Sequence, residues 1–148
     1  MAPIGTCRLY RPDPVHLGEV EQWGRAGASA TITANLVVVS VCGEVDASNG
    51  VDMAGYVERH VGIAGTLILD LSGVTFFGAA GLTALRRIDL CCDRIRWKLV
   101  ASGAVLRVLR ACHAEDLPQV ESVASAVRQL GRHTDQSDQS AVLVGSSR

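Results

Sequence analysis

Hydrophobic residues along this chain follow two alternating patterns. Continuous or alternating runs rich in aliphatic side chains, typical of strands, occupy residues 30–33, 36–46, 66–71 and 98–102. Between them, apolar residues recur at helical spacing, and the strongest such stripe contains Leu82, Leu85, Ile88, Cys92 and Ile95. This order predicts an α/β protein with a mixed central sheet of about four to five strands, covered by about four helices.

Weaker patterns complete the predicted organisation. Three more helices are predicted from apolar spacing, with faces formed by Val51, Ala54, Val57 and Val61, by Val105, Leu106, Leu109 and Cys112, and by Val123, Val127 and Leu130. Residues 118–121 suit a short edge strand. We therefore predict an N-terminal extension over residues 1–28, one domain over 29–133, and a disordered tail over 134–148.

Composition narrows the class of protein. The 148 residues are 48% apolar and 20% charged, which fits one globular domain. The formal net charge of −1 argues against direct nucleic-acid binding, which needs a basic excess. No apolar run approaches the roughly 20 residues of a membrane helix, and the N-terminus has no signal-peptide core. We therefore expect a cytoplasmic protein that does not bind membranes.

Cysteines and histidines do not form a recognisable metal or redox motif. The five cysteines lack a C-x-x-C pair, and the adjacent Cys91 and Cys92 diverge by roughly 100° on a helix. We expect reduced, mostly buried thiols, no metal site and no cofactor.

Catalytic motifs are likewise missing from the sequence. It contains no P-loop, no complete dinucleotide fingerprint and no nucleophile elbow. Asp46 and Asp70 each follow an apolar strand and could act as a carboxylate pair, although a turn or capping carboxylate explains each of them as well. We therefore predict that the protein is not an enzyme.

The segment DLSGVTFFGAAGL (residues 70–82) leads from a predicted strand, through a loop with two phenylalanines, into the strongest helix. Its tip, residues 78–81, carries no reactive side chain. Such a bare helix N-terminus would allow another molecule to approach the backbone closely, and its free N–H groups would attract anions. Plain helix–strand packing explains the small residues equally well, and the residues alone leave both explanations open.

Two motifs in this order resemble the sulfate-transporter and anti-sigma-factor-antagonist (STAS) domain. They are GEVDASNG (residues 43–50) and LILDLSGVTFFGAAGLTAL (residues 67–85), and the resemblance extends over about residues 29–132. It implies a stand-alone anti-sigma factor antagonist. Members of that branch bind an anti-sigma factor, often a histidine-kinase-like ATPase, and are released when a serine in an Asp-Ser-Ser-Gly loop is phosphorylated.

This chain departs from the family at that loop. Gly-Ala-Ala-Gly replaces Asp-Ser-Ser-Gly, so the acceptor serine corresponds to Ala80 and the aspartate to Gly78. The resemblance therefore implies a transcription regulator that is not phosphorylatable at the usual site. The implied partner-binding surface is Asp46, Ser48, Phe76, Phe77, Gly78, Ala79, Ala80, Gly81, Leu82 and Thr83.

Two other function classes stay open at this point. The same helix N-terminus could bind a small ligand such as a nucleotide or lipid, although no lysine or arginine is placed in the sequence to clamp an anion. An enzyme would need a site around Asp46 and Asp70. Whether the protein is a monomer or a dimer is not indicated by the sequence.

Overall fold

The computed structural model describes residues 16–62 and 65–131. The seven strands are β1 (His16–Leu17), β2 (Glu21–Trp23), β3 (Ala26–Ile32), β4 (Val37–Val45), β5 (Thr66–Phe77), β6 (Arg96–Ala101) and β7 (Gln119–Val120). The helices are α1 (Gly50–Val61), α2 (Ala79–Cys91), α3 (Gly103–Ala111) and α4 (123–131). The termini, and with them the predicted tail, lie outside the described residues.

The sheet is mixed, as the sequence predicts. β4, β5, β6 and β7 are parallel neighbours, whereas β3 runs antiparallel to β4 and pairs on its other side with β1 and β2. Two strands exceed the predicted number. These are β1 and β2, two and three residues long, and they lie within residues 16–28, which we assigned to an N-terminal extension.

Helices cover both faces of the sheet unequally. The larger core joins one face of the sheet to α1, α2 and α3, and it contains Val39, Leu69 and Leu99. The alternate residues of the same strands point to the other face. There Ile68 and Val100 pack with Ala126 and Leu130 of α4 in a smaller cluster.

Two details of the predicted elements are wrong. The face that α1 buries is formed by Met53, Tyr56 and His60 together with the predicted positions 54, 57 and 61, whereas Val51 is 74% exposed. The segment after Asp70 is not a loop, because β5 continues to Phe77 beside β4 through two register shifts.

The described cysteines also differ from expectation. All four are free, but only Cys92 is buried, while Cys42, Cys91 and Cys112 are exposed. Burial raises the pKa of the Cys92 thiol to about 12, so this thiol stays protonated at neutral pH. Among the described residues, no helix is long and apolar enough to cross a bilayer.

Candidate functional site

Two chain segments meet at the carboxyl end of the parallel strands. Residues 46–49, which we call the polar tip, connect β4 to α1. Residues 78–81, the bare tip, connect β5 to α2 and form its first turn. Since β4 and β5 are parallel neighbours, both tips lie at the same edge of the sheet. The N–H of Gly78 donates to the carbonyl of Val45 at 2.9 Å and joins them directly.

The first turns of α1 and α2 also touch. A Cβ atom added to Gly50 would lie 2.9 Å from the carbonyl oxygen of Ala80 and 3.3 Å from its Cβ. The first of these separations is shorter than real Cβ contacts, so only glycine fits here without a shift. Glycine at position 50 therefore lets the two helix N-termini form one continuous surface.

Side-chain hydrogen bonds hold the polar tip. Oδ1 of Asp46 accepts from the Ser48 backbone N–H at 2.8 Å and from the Ser48 hydroxyl at 2.5 Å. These bonds lower the pKa of Asp46, with the hydroxyl contributing most. Asp46 is therefore a carboxylate at neutral pH, and Ser48 fixes its orientation at the surface.

Asn49 anchors the polar tip from below. Its side chain is buried, with Oδ1 accepting from the Asp46 N–H at 2.9 Å. Its Nδ2 donates to the carbonyls of Glu44 at 2.9 Å and Trp23 at 3.2 Å. The sequence does not predict this network, because its carbonyl partners come from two other parts of the chain, Trp23 and Glu44. The one signal available was a polar amide directly before the helix.

The two phenylalanines are separated by the alternation of β5. Phe76 is 51% exposed, whereas Phe77 is 4% exposed and packs in the main core. A Cβ atom at Gly81 would lie 2.5 Å from the Phe77 ring, so the first turn of α2 rests directly on that ring. Phe77 and Gly81 thus support the site from inside, and Phe76 lies at the surface.

The remaining predicted site residues lie on the first turns of α2 and at Gly78 before it. Ala79 and Thr83 are exposed on the first turns of α2, and Ala80 and Leu82 are partly exposed. Gly78 is partly exposed and lies beneath Phe76, since a Cβ there would be 3.5 Å from its ring. We call the accessible residues of this site the docking face, and they are Asp46, Ser48, Phe76, Gly78, Ala79, Ala80, Leu82 and Thr83.

Asp46 and Asp70 do not form a carboxylate pair. Asp70 lies opposite Ser40 of β4. Ser40 precedes Asp46 by six residues, so the two aspartates are separated by roughly 20 Å along the strand. Oδ1 of Asp70 accepts from the Ser72 N–H at 3.0 Å, as in a turn. The carboxylate pair on which an enzymatic site would depend is therefore absent from the described residues.

Comparisons with known proteins agree with this geometry. The family model of the STAS domain matches residues 27–130. Osmosensory protein A of Mycobacterium tuberculosis is 31% identical over 120 residues, covering 76% of each chain. An anti-sigma factor antagonist from Mycobacterium paratuberculosis has a similar structure, with a TM-score of 0.58 and 24% identity over 80% of this chain and 96% of that one.

A second solved structure has the same fold at lower identity. It is unphosphorylated SpoIIAA, also an anti-sigma factor antagonist, with a TM-score of 0.54 and 14% identity over 76% of this chain and 94% of SpoIIAA. At these identities the two structures establish the shared fold, and the family model supplies the family. The chain belongs to the STAS-domain family.

Proposed function

We propose that this chain is an anti-sigma-factor-antagonist-like module that regulates transcription by binding a protein partner through its docking face. The partner class is an anti-sigma factor or histidine-kinase-like ATPase in the cytoplasm, and the module acts by binding and not by turnover. The observation that carries this proposal is the half-exposed ring of Phe76, which lies close to Gly78, as does the backbone of the ionised Asp46.

The composition of the docking face suits a protein partner. An aromatic ring that is half exposed offers a large apolar area with few rotamers to freeze, which is typical of residues that dominate binding energy. Val51, which follows Gly50 at the start of α1, is a further apolar side chain that is 74% exposed. Asp46 supplies a charge at the rim, which favours a partner carrying a basic group there.

The departure at the bare tip supports a module that phosphorylation at the usual position does not silence. Ala80 has no hydroxyl, and the hydroxyl of Thr83 is bonded to the Ala79 carbonyl at 3.3 Å within the helix. A phosphate at position 80 would add about two negative charges next to the contact between residue 80 and Gly50. Without an acceptor there, we expect partner binding to persist whenever the partner is present.

Substitution of Ala80 by glutamate tests the docking face. The change places a charge in the proposed interface, and it should weaken partner binding at least tenfold through the cost of burying that charge. Glutamate in the first turn of a helix is favourable for the helix itself, so the fold should survive. The measurement is a pull-down from the native host followed by mass spectrometry and by titration of the recovered partner.

Ala124→Glu is the matched control. Ala124 is exposed and is also the second residue of a helix, α4, which packs on the other face of the sheet. The control should bind as wild type does. Equal binding by wild type and Ala80→Glu would show that the surface is wrongly assigned. Recovery of no partner by wild type, with stabilisation by a nucleotide or lipid in a thermal-shift screen, would favour the ligand-binding alternative.

A further inference from the structure

A short segment near the start of the described chain lies against both the sheet and α1. Residues 18–23, which we call the strap, follow β1 and end with β2. On the sheet side, the N–H of Gly18 donates to the carbonyl of Ala30 at 2.8 Å, and β2 pairs with β3. Because β2 has three residues, it contributes few hydrogen bonds, and contacts outside the sheet must also hold the strap.

Side chains of α1 supply those contacts. The hydroxyl of Tyr56 donates to the carbonyl of Glu19 at 2.7 Å. The ring of Tyr56 also meets the ring of Trp23 edge-on, with centroids 5.7 Å apart. Glu21 forms an ion pair with Arg59. A hydrogen bond, an aromatic contact and an ion pair therefore hold the strap on α1.

The strap also fits closely against the last turn of α1. Tyr56 is fully buried, and burial is the main cause that raises its pKa, so the hydroxyl keeps its proton at neutral pH and remains a donor. A Cβ atom added to Gly18 would lie 2.8 Å from Nε2 of His60. Glycine at position 18 therefore lets the strap lie directly on the helix.

The end of the strap is bonded to the polar tip through one side chain. Nδ2 of Asn49 donates to the carbonyl of Trp23 at 3.2 Å, while Oδ1 of the same amide accepts from the N–H of Asp46 at 2.9 Å. The carbonyl of Arg25, just beyond the strap, accepts from the N–H of Glu44 at 3.0 Å. The position of the strap and the position of the polar tip are therefore linked by direct bonds.

We propose that the strap is a regulatory element that controls the polar tip through its attachment to α1. While attached, it supplies the Trp23 carbonyl that fixes Asn49, and its detachment frees Asn49 and the backbone of Asp46 together. The two states thus differ in defined contacts, and the strap and the polar tip should open as one local unit. The effect on partner binding rests on the proposed function, because Asp46 and Ser48 belong to the docking face.

Amide hydrogen exchange in the full chain tests this coupling. Glu21→Arg places a like charge against Arg59 and should detach the strap. Exchange should then speed up about tenfold at the Gly18 N–H and about threefold or more at the Asp46 N–H. Glu58→Arg is the matched control, because Glu58 also forms an ion pair between α1 and an arginine, and its side chain is 28% exposed compared with 31% for Glu21. The control should leave both rates unchanged.

Two further variants separate the strap from a general loss of stability. Glu21→Arg combined with Arg59→Glu exchanges the charges of the pair and should return both rates to within about twofold of wild type. Tyr56→Phe removes the hydrogen bond to Glu19 and should speed both amides about threefold or more. The N–H of Leu106, bonded within α3, should exchange at the wild-type rate in every variant.

Faster exchange at Gly18 with an unchanged rate at Asp46 would overturn the proposal. An unchanged rate at Gly18 in both Glu21→Arg and Tyr56→Phe would overturn it as well, because these contacts would then not hold the strap. Equal acceleration at Leu106 would do the same, since the whole domain would then open. Affinity for the recovered partner should fall about threefold in Glu21→Arg and return in the charge-exchanged variant. Coupled exchange without that fall would support the strap and count against the docking face.

Discussion

The polar tip and the bare tip leave neighbouring strands side by side, yet they are held in place by different forces. In the polar tip, Asn49 and Asp46 bind backbone groups through side-chain hydrogen bonds. In the bare tip, Gly81 lies against the ring of Phe77, and the backbone is positioned by close packing. A surface can thus be held in place by polar partners or by close packing of a bare backbone, and mutations should destabilise the two kinds in different ways.

Substitutions of the two phenylalanines beside the bare tip should differ most in their effect on stability. Phe77→Ala should lower the free energy of unfolding by about 3–5 kcal/mol, because it leaves a cavity under α2. Phe76→Ala should change stability by less than about 0.5 kcal/mol, since its ring is half exposed, while it weakens partner binding about tenfold or more. Urea unfolding and partner titration measure the two quantities. Equal losses of stability would contradict the assignment of Phe76 to the docking face.

Mutation of the polar tip should destabilise the protein by leaving hydrogen-bonding groups without partners. Asn49→Ala removes three hydrogen bonds and leaves two carbonyls and one N–H near the core without these partners. We expect a loss of about 2–3 kcal/mol in the free energy of unfolding. Asn35→Ala, in an exposed turn, is the control and should have little effect. A small effect at position 49 would mean that the polar tip does not depend on its amide.

Mutation of the bare tip should destabilise the protein by adding atoms where there is no space for them. Alanine is favoured over glycine in a helix by about 1 kcal/mol, but at position 81 its Cβ would press on the buried Phe77 ring. Since overpacking costs about 1–3 kcal/mol, we expect Gly81→Ala to destabilise the protein by about 1 kcal/mol. Gly55→Ala, on α1, has open space around it and should stabilise by about 0.5–1 kcal/mol. Thermal unfolding should show opposite signs for the two variants, and equal signs would contradict the role of packing at Gly81.

The smallest effect concerns the protonation of Asp46. Ser48→Ala removes the hydroxyl that contributes most to the lowered pKa of Asp46, so the pKa should rise toward its ordinary value. A carboxyl whose folded pKa is lowered stabilises the protein above its unfolded pKa, and this contribution is lost as pH falls through the folded pKa. In the variant, this contribution should therefore be smaller, and its loss should be complete at a higher pH. Titration of the Asp46 carboxyl by NMR would detect it, and an unchanged pKa would contradict the role of the hydroxyl.

The sequence predicts the alternation of strands and helices because each long element carries its own period. The α/β architecture, the mixed sheet and the start of α2 at the bare tip are confirmed. The strands β1 and β2 were missed because two or three residues are too short to show alternation. They form only by pairing with β3, a non-local contact that no short window of sequence contains.

The site was less predictable than the fold, for a similar reason. The strand was predicted over residues 66–71 with a loop after it, yet β5 continues because β4 extends beside it, where Gly43 lies at a register shift with a φ of 96°. That continuation decides which of Phe76 and Phe77 faces outward. The assignment of the docking face to a partner stays a prediction that the binding experiments test.

The contact between Gly50 and Ala80 has a consequence for how this surface can evolve. Because the backbone carbonyl of Ala80 lies where a side chain at position 50 would begin, any residue larger than glycine at position 50 meets the start of α2, whatever the side chain at position 80. A larger residue at position 50 is tolerated only if the start of α2 moves away, which would also reshape the surface offered to the partner. In a saturation library, substitutions at position 50 should therefore be poorly tolerated whichever residue occupies position 80.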